Sequence, residues 1–204
     1  MNRVVAYVDG FNLYFGLKEG YGRRYHWLDL QKLVADLLQP DQQLRAVQYF
    51  TARIRDDPEG GSRQSTYLDA LANHSPLVRI TEGRFKERPR GCRSCGARWV
   101  VYEEKETDVN IAIAMIKDAA QDVYDTAILV SGDTDLRPVV ATVKQLRPDK
   151  RIVVAFPPRR HSKALMRAAD AFITIGHGRI HNAQLPHSVV TRGGITLSRP
   201  VYWS

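Results

Sequence analysis

The feature that most constrains this chain is the stretch Tyr124-Asp-Thr-Ala-Ile-Leu-Val-Ser-Gly-Asp-Thr-Asp-Leu136. Ala127, Ile128, Leu129 and Val130 form a short continuous apolar run, the pattern of a strand covered on both faces of a parallel sheet. The run breaks at Ser131-Gly132-Asp133-Thr134-Asp135, a turn carrying two carboxylates one residue apart. Pro138 follows, and proline is tolerated in a helix only near its start, so a helix is predicted to begin around Thr134. Strand, acidic turn and helix in that order put both carboxylates at the carboxyl end of a strand. Open α/β sheets bind their ligands at that edge.

The rest of the chain alternates in the same way. Residues 3–9 predict a short buried first strand that again ends in a carboxylate and a glycine, Asp9 and Gly10. Phe11, Leu13, Tyr14 and Leu17 follow at near-helical spacing, with Gly16, Gly20 and Gly22 weakening that helix and marking its end. Leu30, Leu33, Val34, Leu37 and Leu38 repeat at three and four, an amphipathic helix with Asp29 in its first turn and Pro40 closing it. A second strand over 44–54, a polar loop over 53–61 and a helix over 62–73 come next. Residues 78–85 and 99–103 alternate as strands around an exposed Arg/Pro/Gly/Cys-rich excursion. Residues 107–120 predict a helix capped by Thr107, with Val109, Ala112, Ile113, Ile116 and Ala119 as its apolar stripe. Beyond the organising stretch come a helix carrying Val139, Val140, Val143 and Leu146, a strand over 151–156, a helix from a Ser162 cap and a strand over 172–175. Strands and helices in alternation predict a parallel sheet with helices on both faces. The expected organisation is one domain over 1–176 with an inserted Cys-containing hairpin near 84–104, and an irregular arm over 177–204 packed on it.

Composition narrows the functional classes. With 44% hydrophobic and 25% charged residues, the 204-residue chain reads as an ordinary globular protein able to bury a core. Its net charge of +8 fits a polyanionic partner, nucleic acid first, although a merely soluble basic protein has the same balance. The apolar run from Val4 to Val8 is too brief for a signal segment or a membrane span, so a soluble cytoplasmic protein with no membrane partner is expected. Two cysteines make no secreted disulfide framework. Cys92-Arg-Ser-Cys95-Gly96 has the form of half a zinc ribbon, and a structural zinc would need two more ligands from His74, His161, His177, His181, His187 or a partner subunit. An ion-free hairpin tip is the expectation for one chain.

The chemistry should sit where four carboxylates have predicted addresses on one sheet edge: Asp9, Asp108, Asp133 and Asp135. Singly, each is the kind of Asp that caps a helix start. Together, like charges crowded at one site raise one another's pKa unless a cation neutralises them. An all-oxygen donor set suits Mg²⁺ or Mn²⁺ rather than zinc, and such ions activate water and stabilise a phosphodiester transition state. Pro157-Pro-Arg159-Arg160-His161-Ser162-Lys163 falls between a strand and a helix start on the same edge. Arg159, Arg160 and Lys163 are therefore candidates to clamp a substrate backbone, a solvated basic loop being the alternative.

Three motifs, Tyr7-Val-Asp9-Gly-Phe-Asn12, Glu104-Lys-Glu-Thr-Asp108-Val and Leu129-Val-Ser-Gly-Asp133-Thr-Asp135-Leu, resemble in order those of the NYN family. That family is a branch of the PIN-like nucleases that includes bacterial LabA-like proteins. The resemblance implies a PIN-like three-layer α/β/α sandwich with a mainly parallel central sheet, and metal-dependent endoribonuclease chemistry. By position, Asp9, Asp108, Asp133 and Asp135 would be the catalytic residues and hold Mg²⁺ or Mn²⁺ directly or through water. Asn12 would orient a phosphate or the attacking water, or else cap the first helix locally. Ser131 would bond a carboxylate or a metal-bound water, or merely stabilise its turn. Glu104 and Glu106 are left out of the metal set, and Lys105 is a weaker phosphate contact. RNA, single-stranded or structured, is the expected partner, and a homodimer is allowed. The alternative is an RNA-binding regulatory module whose pocket is slow or inactive. A nucleotide-sugar glycosyltransferase would leave Asp9 and Asp108 without roles, and a haloacid-dehalogenase-type phosphatase would need an Asp where Phe11 stands.

Overall fold

The computed structural model describes residues 1–55 and 57–203, with the side chains of 85–87 and 101–105 excepted. The side chains of Glu104 and Lys105 thus lie outside the described residues. In chain order the elements are β1 (Asn2–Asp9), α1 (Gly10–Tyr21), α2 (Leu30–Ala35), β2 (Gln42–Ala52), α3 (Pro58–His74), β3 (Val78–Gly91) and β4 (Arg98–Lys105). Then follow α4 (Thr107–Ala120), β5 (Thr126–Val130), a 3-10 turn (Thr134–Leu136), α5 (Arg137–Leu146), β6 (Arg151–Phe156), α6 (Lys163–Ala168) and β7 (Ala171–Thr174). The chain closes with α7 (His177–Asn182), the β8 (Ser188–Val190) and β9 (Thr196–Ser198) hairpin, and a 3-10 turn (Val201–Trp203).

The strands form one sheet in the order β4-β3-β2-β1-β5-β6-β7. Six are parallel, and β4 joins the edge antiparallel to β3. All five residues of β5 are buried, as its uninterrupted apolar run requires of a strand covered on both faces. One apolar cluster lies on each face of the sheet. Val4, Ala6 and Val8 of β1 point into the cluster with α1, α2 and α3, and Val5 and Tyr7 into the one with α4, α5 and α6. The three-layer α/β/α arrangement expected from the sequence is the one observed.

The direction of winding reverses at the centre: β2 lies on one side of β1 and β5 on the other. The crevice outside the carboxyl ends of those strands is the topological switch point, where open α/β sheets place ligands. Asp9 ends β1 and Ser131 follows β5 directly, so both motifs open onto this crevice.

Several local expectations are corrected. Helix α3 begins at Pro58, four residues before the expected start at 62, with Pro58 in its first turn and Asp57 accepting a hydrogen bond from the Gly60 amide at 2.8 Å. The paired glycines there suggested loop, and the cap and proline overrode them. The exposed excursion between β3 and β4 is mostly strand, pairing from Arg84↔Lys105 to Gly91↔Arg98, so only 92–97 forms the turn. In α4 the buried side is Thr107, Ile111, Met115 and Ala119, while Val109 and Ile113 are each 58% exposed. Ala112, Ile116 and Ala119 of the expected stripe do pack on the sheet-side cluster, so the buried face is centred one position round from the expected one. Thr107 is not the cap either: Glu106 holds that position, with φ of 82° and no side-chain cap bond. The tail, expected to be irregular, holds a helix and a hairpin. It is ordered by distant contacts: the Trp27 indole donates to the Pro186 carbonyl at 2.7 Å, and Trp203 is buried against Trp27 and Tyr67.

Gly16 sits inside α1 for a reason of space. A Cβ there would stand 2.7 Å from the Pro158 carbonyl oxygen, so its absence lets the loop after β6 lie across the helix. Ordinarily Gly→Ala within a helix stabilises by up to ~1 kcal/mol. Gly16→Ala is expected instead to destabilise by roughly 1–3 kcal/mol through overpacking. Gly178→Ala in α7, where a Cβ meets nothing within 4 Å, should be neutral or stabilising. Paired denaturant melts of the two variants check this.

Candidate metal centre

Asp9 is the last residue of β1 and the N-cap of α1. Its carboxylate is buried, with one oxygen accepting the Asn12 amide at 3.0 Å and the other the Ser131 hydroxyl at 2.8 Å. The Ser131 Oγ in turn accepts the Asp133 amide at 3.0 Å, and Asn12 Oδ1 accepts the Gly132 amide at 2.8 Å. Two side chains thus stitch the turn after β5 to the start of α1. The loop after β6 closes in from the other side: a Cβ on Gly132 would stand 2.9 Å from the Arg160 Cβ.

Asp108 reaches this place by a different route. It lies in the first turn of α4, just after Glu106 adopts the left-handed conformation that few non-glycine residues take. That local strain turns the chain out of the β3–β4 hairpin and into the helix. Asp9, Asp108 and Asp133 each offer a carboxylate oxygen, and these oxygens all lie within 4.8 Å of one another. Asp135 stands outside that group: it is exposed, and its backbone amide caps the Asp133 carboxylate at 2.9 Å. So three of the four carboxylates singled out in the sequence meet, and the fourth braces one of them through its main chain.

Electrostatics mark the site. Burial raises the Asp9 carboxyl to about 6, with the charges of Asp108 and Asp133 adding to the rise and the hydrogen bonds from Asn12 and Ser131 opposing it. The three oxygens are hard donors within 4.8 Å of one another, and the repulsion among them is what a divalent ion would relieve. The donor set fits Mg²⁺ or Mn²⁺.

A cleft of about 230 Å³ opens over the trio, lined also by Phe11, Asn12, Phe15, Thr107 and Arg160. Arg160 is ion-paired with Glu19, and its Nε has no hydrogen-bond partner among the described residues. Arg159 and Lys163 are exposed and lie outside the cleft lining. Phe11, Phe15 and Thr107 were not flagged from the sequence as site residues, since apolar and hydroxyl side chains beside a motif give no chemical signal. Cys92 and Cys95 are free thiols in the hairpin turn, and among the described residues no metal-binding group gathers around them.

The model of the NYN domain matches residues 3–176. The chain is 28% identical over 230 aligned residues to 6-hydroxy-3-succinoylpyridine 3-monooxygenase HspA of Pseudomonas putida (strain DSM 28022 / S16), covering 93% of this chain and 72% of that one. It also resembles the crystal structure of VPA0982, a protein of unknown function from Vibrio parahaemolyticus RIMD 2210633. The TM-score is 0.60 with 25% identity, over 86% of this chain and 94% of that one.

Because the folded state disfavours the Asp9 anion, the stability this group contributes is full below its unfolded pKa near 3.8 and is lost as pH rises through about 6. At ~1.4 kcal/mol per pH unit between the two values, the loss approaches ~3 kcal/mol. In chelator, Asp9→Asn should therefore melt higher than wild type at pH 8 and lose most of that advantage at pH 4. Thermal melts at both pH values decide it.

Proposed function

The chain belongs to the NYN domain family, a nuclease-like family, and we propose that it is a Mg²⁺- or Mn²⁺-dependent endoribonuclease. The observation that carries this reading is the convergence of Asp9, Asp108 and Asp133, from three separate segments, within 4.8 Å at the switch point of the sheet. A binding-only pocket gains nothing by crowding negative charge where a phosphate must approach.

When bound, a divalent ion supplies an activated water and offsets the charge that builds on the phosphoryl oxygens. The protein's own residues do the rest. Asp9, Asp108 and Asp133 hold the ion; the Ser131 hydroxyl and the Asn12 amide fix the Asp9 carboxylate in one orientation. Asp135 keeps Asp133 in place through its amide. Arg160, at the cleft with an Nε that has no hydrogen-bond partner among the described residues, binds a non-bridging phosphate oxygen. Arg159 and Lys163, exposed on the same loop, contact the backbone farther along the strand.

The hairpin of β3 and β4 extends this surface. Thr81 stands level with Phe50, which pairs with Asp9, so the part of β3 after Thr81 rises beyond the carboxyl edge of the sheet. Arg84, Arg88, Arg90, Arg93 and Arg98 are exposed along it. A basic arm rising beside an acidic centre suits a polyanion that is held by its backbone and cut at one phosphate.

A second reading takes its warrant from the Pseudomonas relative, named as a monooxygenase of 6-hydroxy-3-succinoylpyridine: this chain would hydroxylate a related heteroaromatic acid. Non-haem iron(II) oxygenases of the facial-triad type bind their metal through two histidines and a carboxylate, whereas the cluster here is three carboxylates. The nuclease reading fits the donor set better.

Purified protein incubated with RNA is expected to cut it with Mn²⁺ or Mg²⁺ and to stop in chelator. Asp133→Asn should lower the rate by at least roughly 100-fold while RNA binding is kept or strengthened. Cutting that persists in chelator removes the metal mechanism, and binding without cutting by wild type favours a regulatory module. Oxidation of 6-hydroxy-3-succinoylpyridine by an RNA-inactive protein would favour the second reading.

A further inference from the structure

A second, larger cavity of about 510 Å³ lies behind α1, between that helix, β2, α3 and the chain's last turn. It falls in the size range of small-molecule sites and is lined mostly by apolar and aromatic side chains. Phe11 and Phe15 line both this cavity and the cleft over the carboxylate trio, so the two spaces share a wall.

Three features of the larger cavity ask for a ligand. First, His26 is 5% exposed, and neither ring nitrogen has a hydrogen-bond partner among the described residues. A buried imidazole without partners costs free energy that a donor–acceptor edge would recover. Burial, helped by the charges of Lys18 and Arg23, pushes this histidine down to about 4, so at neutral pH it presents one donor and one acceptor. Second, the imidazole packs between Tyr14, with ring centres 4.6 Å apart, and Trp203, edge-on at 5.6 Å. His26 itself lines the cavity, beside Tyr14 and Phe15, which are partly exposed at 37% and 42%. Third, the lining carries cations. Arg23 stacks on Tyr202 at 3.8 Å, and neither Arg23 nor Lys18 has a carboxylate partner among the described residues.

Planar walls, a hydrogen-bonding edge and unneutralised cations are together the chemistry that recognises a base with its phosphate. We propose that this cavity is a nucleobase pocket, holding the base of a nucleotide next to the one whose phosphate lies over Asp9, Asp108 and Asp133. The base stacks on the aromatic wall and pairs with His26, and Lys18 and Arg23 meet its phosphate. The placement of the neighbouring phosphate rests on the nuclease reading; the pocket itself does not. A cleavage centre with such a pocket reads one base beside the cut, so its products share a nucleotide at a fixed position from the new end.

The test is a titration of this 204-residue chain in chelator, which separates the pocket from the acidic centre. The ligands are the four nucleoside 5′-monophosphates, ribose 5-phosphate, nicotinate and a short oligoribonucleotide, read by tryptophan fluorescence and by the His26 ring resonances. At least one monophosphate should bind saturably, shift His26, be displaced by the oligonucleotide, and bind roughly tenfold or more tighter than ribose 5-phosphate. Arg23→Met, an exposed change that leaves the core alone, should weaken it several-fold. His26→Phe should erase the preference among bases, and Asp133→Asn should change neither. Equal binding of ribose 5-phosphate, nicotinate binding without any monophosphate, or binding indifferent to both Arg23→Met and His26→Phe overturns the pocket. Monophosphate binding by a protein that cuts no RNA keeps the pocket and fails the nuclease. RNA cutting by a protein that binds no monophosphate does the reverse.

Discussion

The structure depends on one buried carboxylate. Asp9 ends the central strand, caps the helix that follows, and accepts the hydroxyl of Ser131 from the neighbouring strand's turn. With those bonds β1, α1 and β5 are locked at the sheet's carboxyl edge, and Asp133 is brought in through the same serine. An ionised group in so buried a place is costly unless its lone pairs are occupied and its charge is balanced. The hydrogen bonds occupy two lone pairs. Among the described residues no ion pair balances its charge.

The opposite edge of the sheet shows how this protein treats charges that have no ligand to meet. There Arg3 bridges Asp122 and Asp125, Arg147 bridges Asp122 and Asp149, and the buried Lys150 ammonium reaches the same carboxylates. Hydrogen bonds from Lys150, Arg3 and Arg147 hold the Asp122 carboxyl well below its usual range, the reverse of what happens at Asp9. Both edges carry clustered aspartates; at one of them Asp122, Asp125 and Asp149 each have a cation beside them. At the other, Arg160 lines the cleft and is itself paired with Glu19.

Much of this was legible in the sequence because the signals were local. An uninterrupted apolar run ending in Ser-Gly-Asp specified β5 and its turn, and the repeat of that pattern at Val8-Asp9-Gly10 placed a second carboxylate on the same edge. Ser162 does cap α6, and Asp29, expected in the first turn of α2, is its N-cap, because a side chain that bonds an amide three residues on needs no tertiary context. What stayed illegible was decided at a distance. The inward stripe of α4 depends on where the strained Glu106 starts the helix, and a period of 3.6 cannot report that. Asp135 shares a motif with Asp133, yet the 3-10 turn sends the two side chains apart. The tail's order comes from Trp27 and Tyr67, more than a hundred residues away.

The same distinction explains why the aromatic cavity could not be read ahead of the fold. Its walls come from α1, α3 and the last turn of the chain, and none of Tyr14, His26, Tyr67 and Trp203 belongs to a motif. Motifs report residues whose chemistry needs neighbours in sequence; a recognition surface needs neighbours in space. Helix α1 is where the two meet. It is capped at its start by the acidic centre, and its Phe11 and Phe15 stand in the wall between that centre and the cavity. Because Asp9 sets where α1 begins, it also sets how far the aromatic wall stands from the carboxylates. A shift of that helix would move the acidic cleft and the aromatic cavity together, so the geometries of the two spaces are coupled through one N-cap.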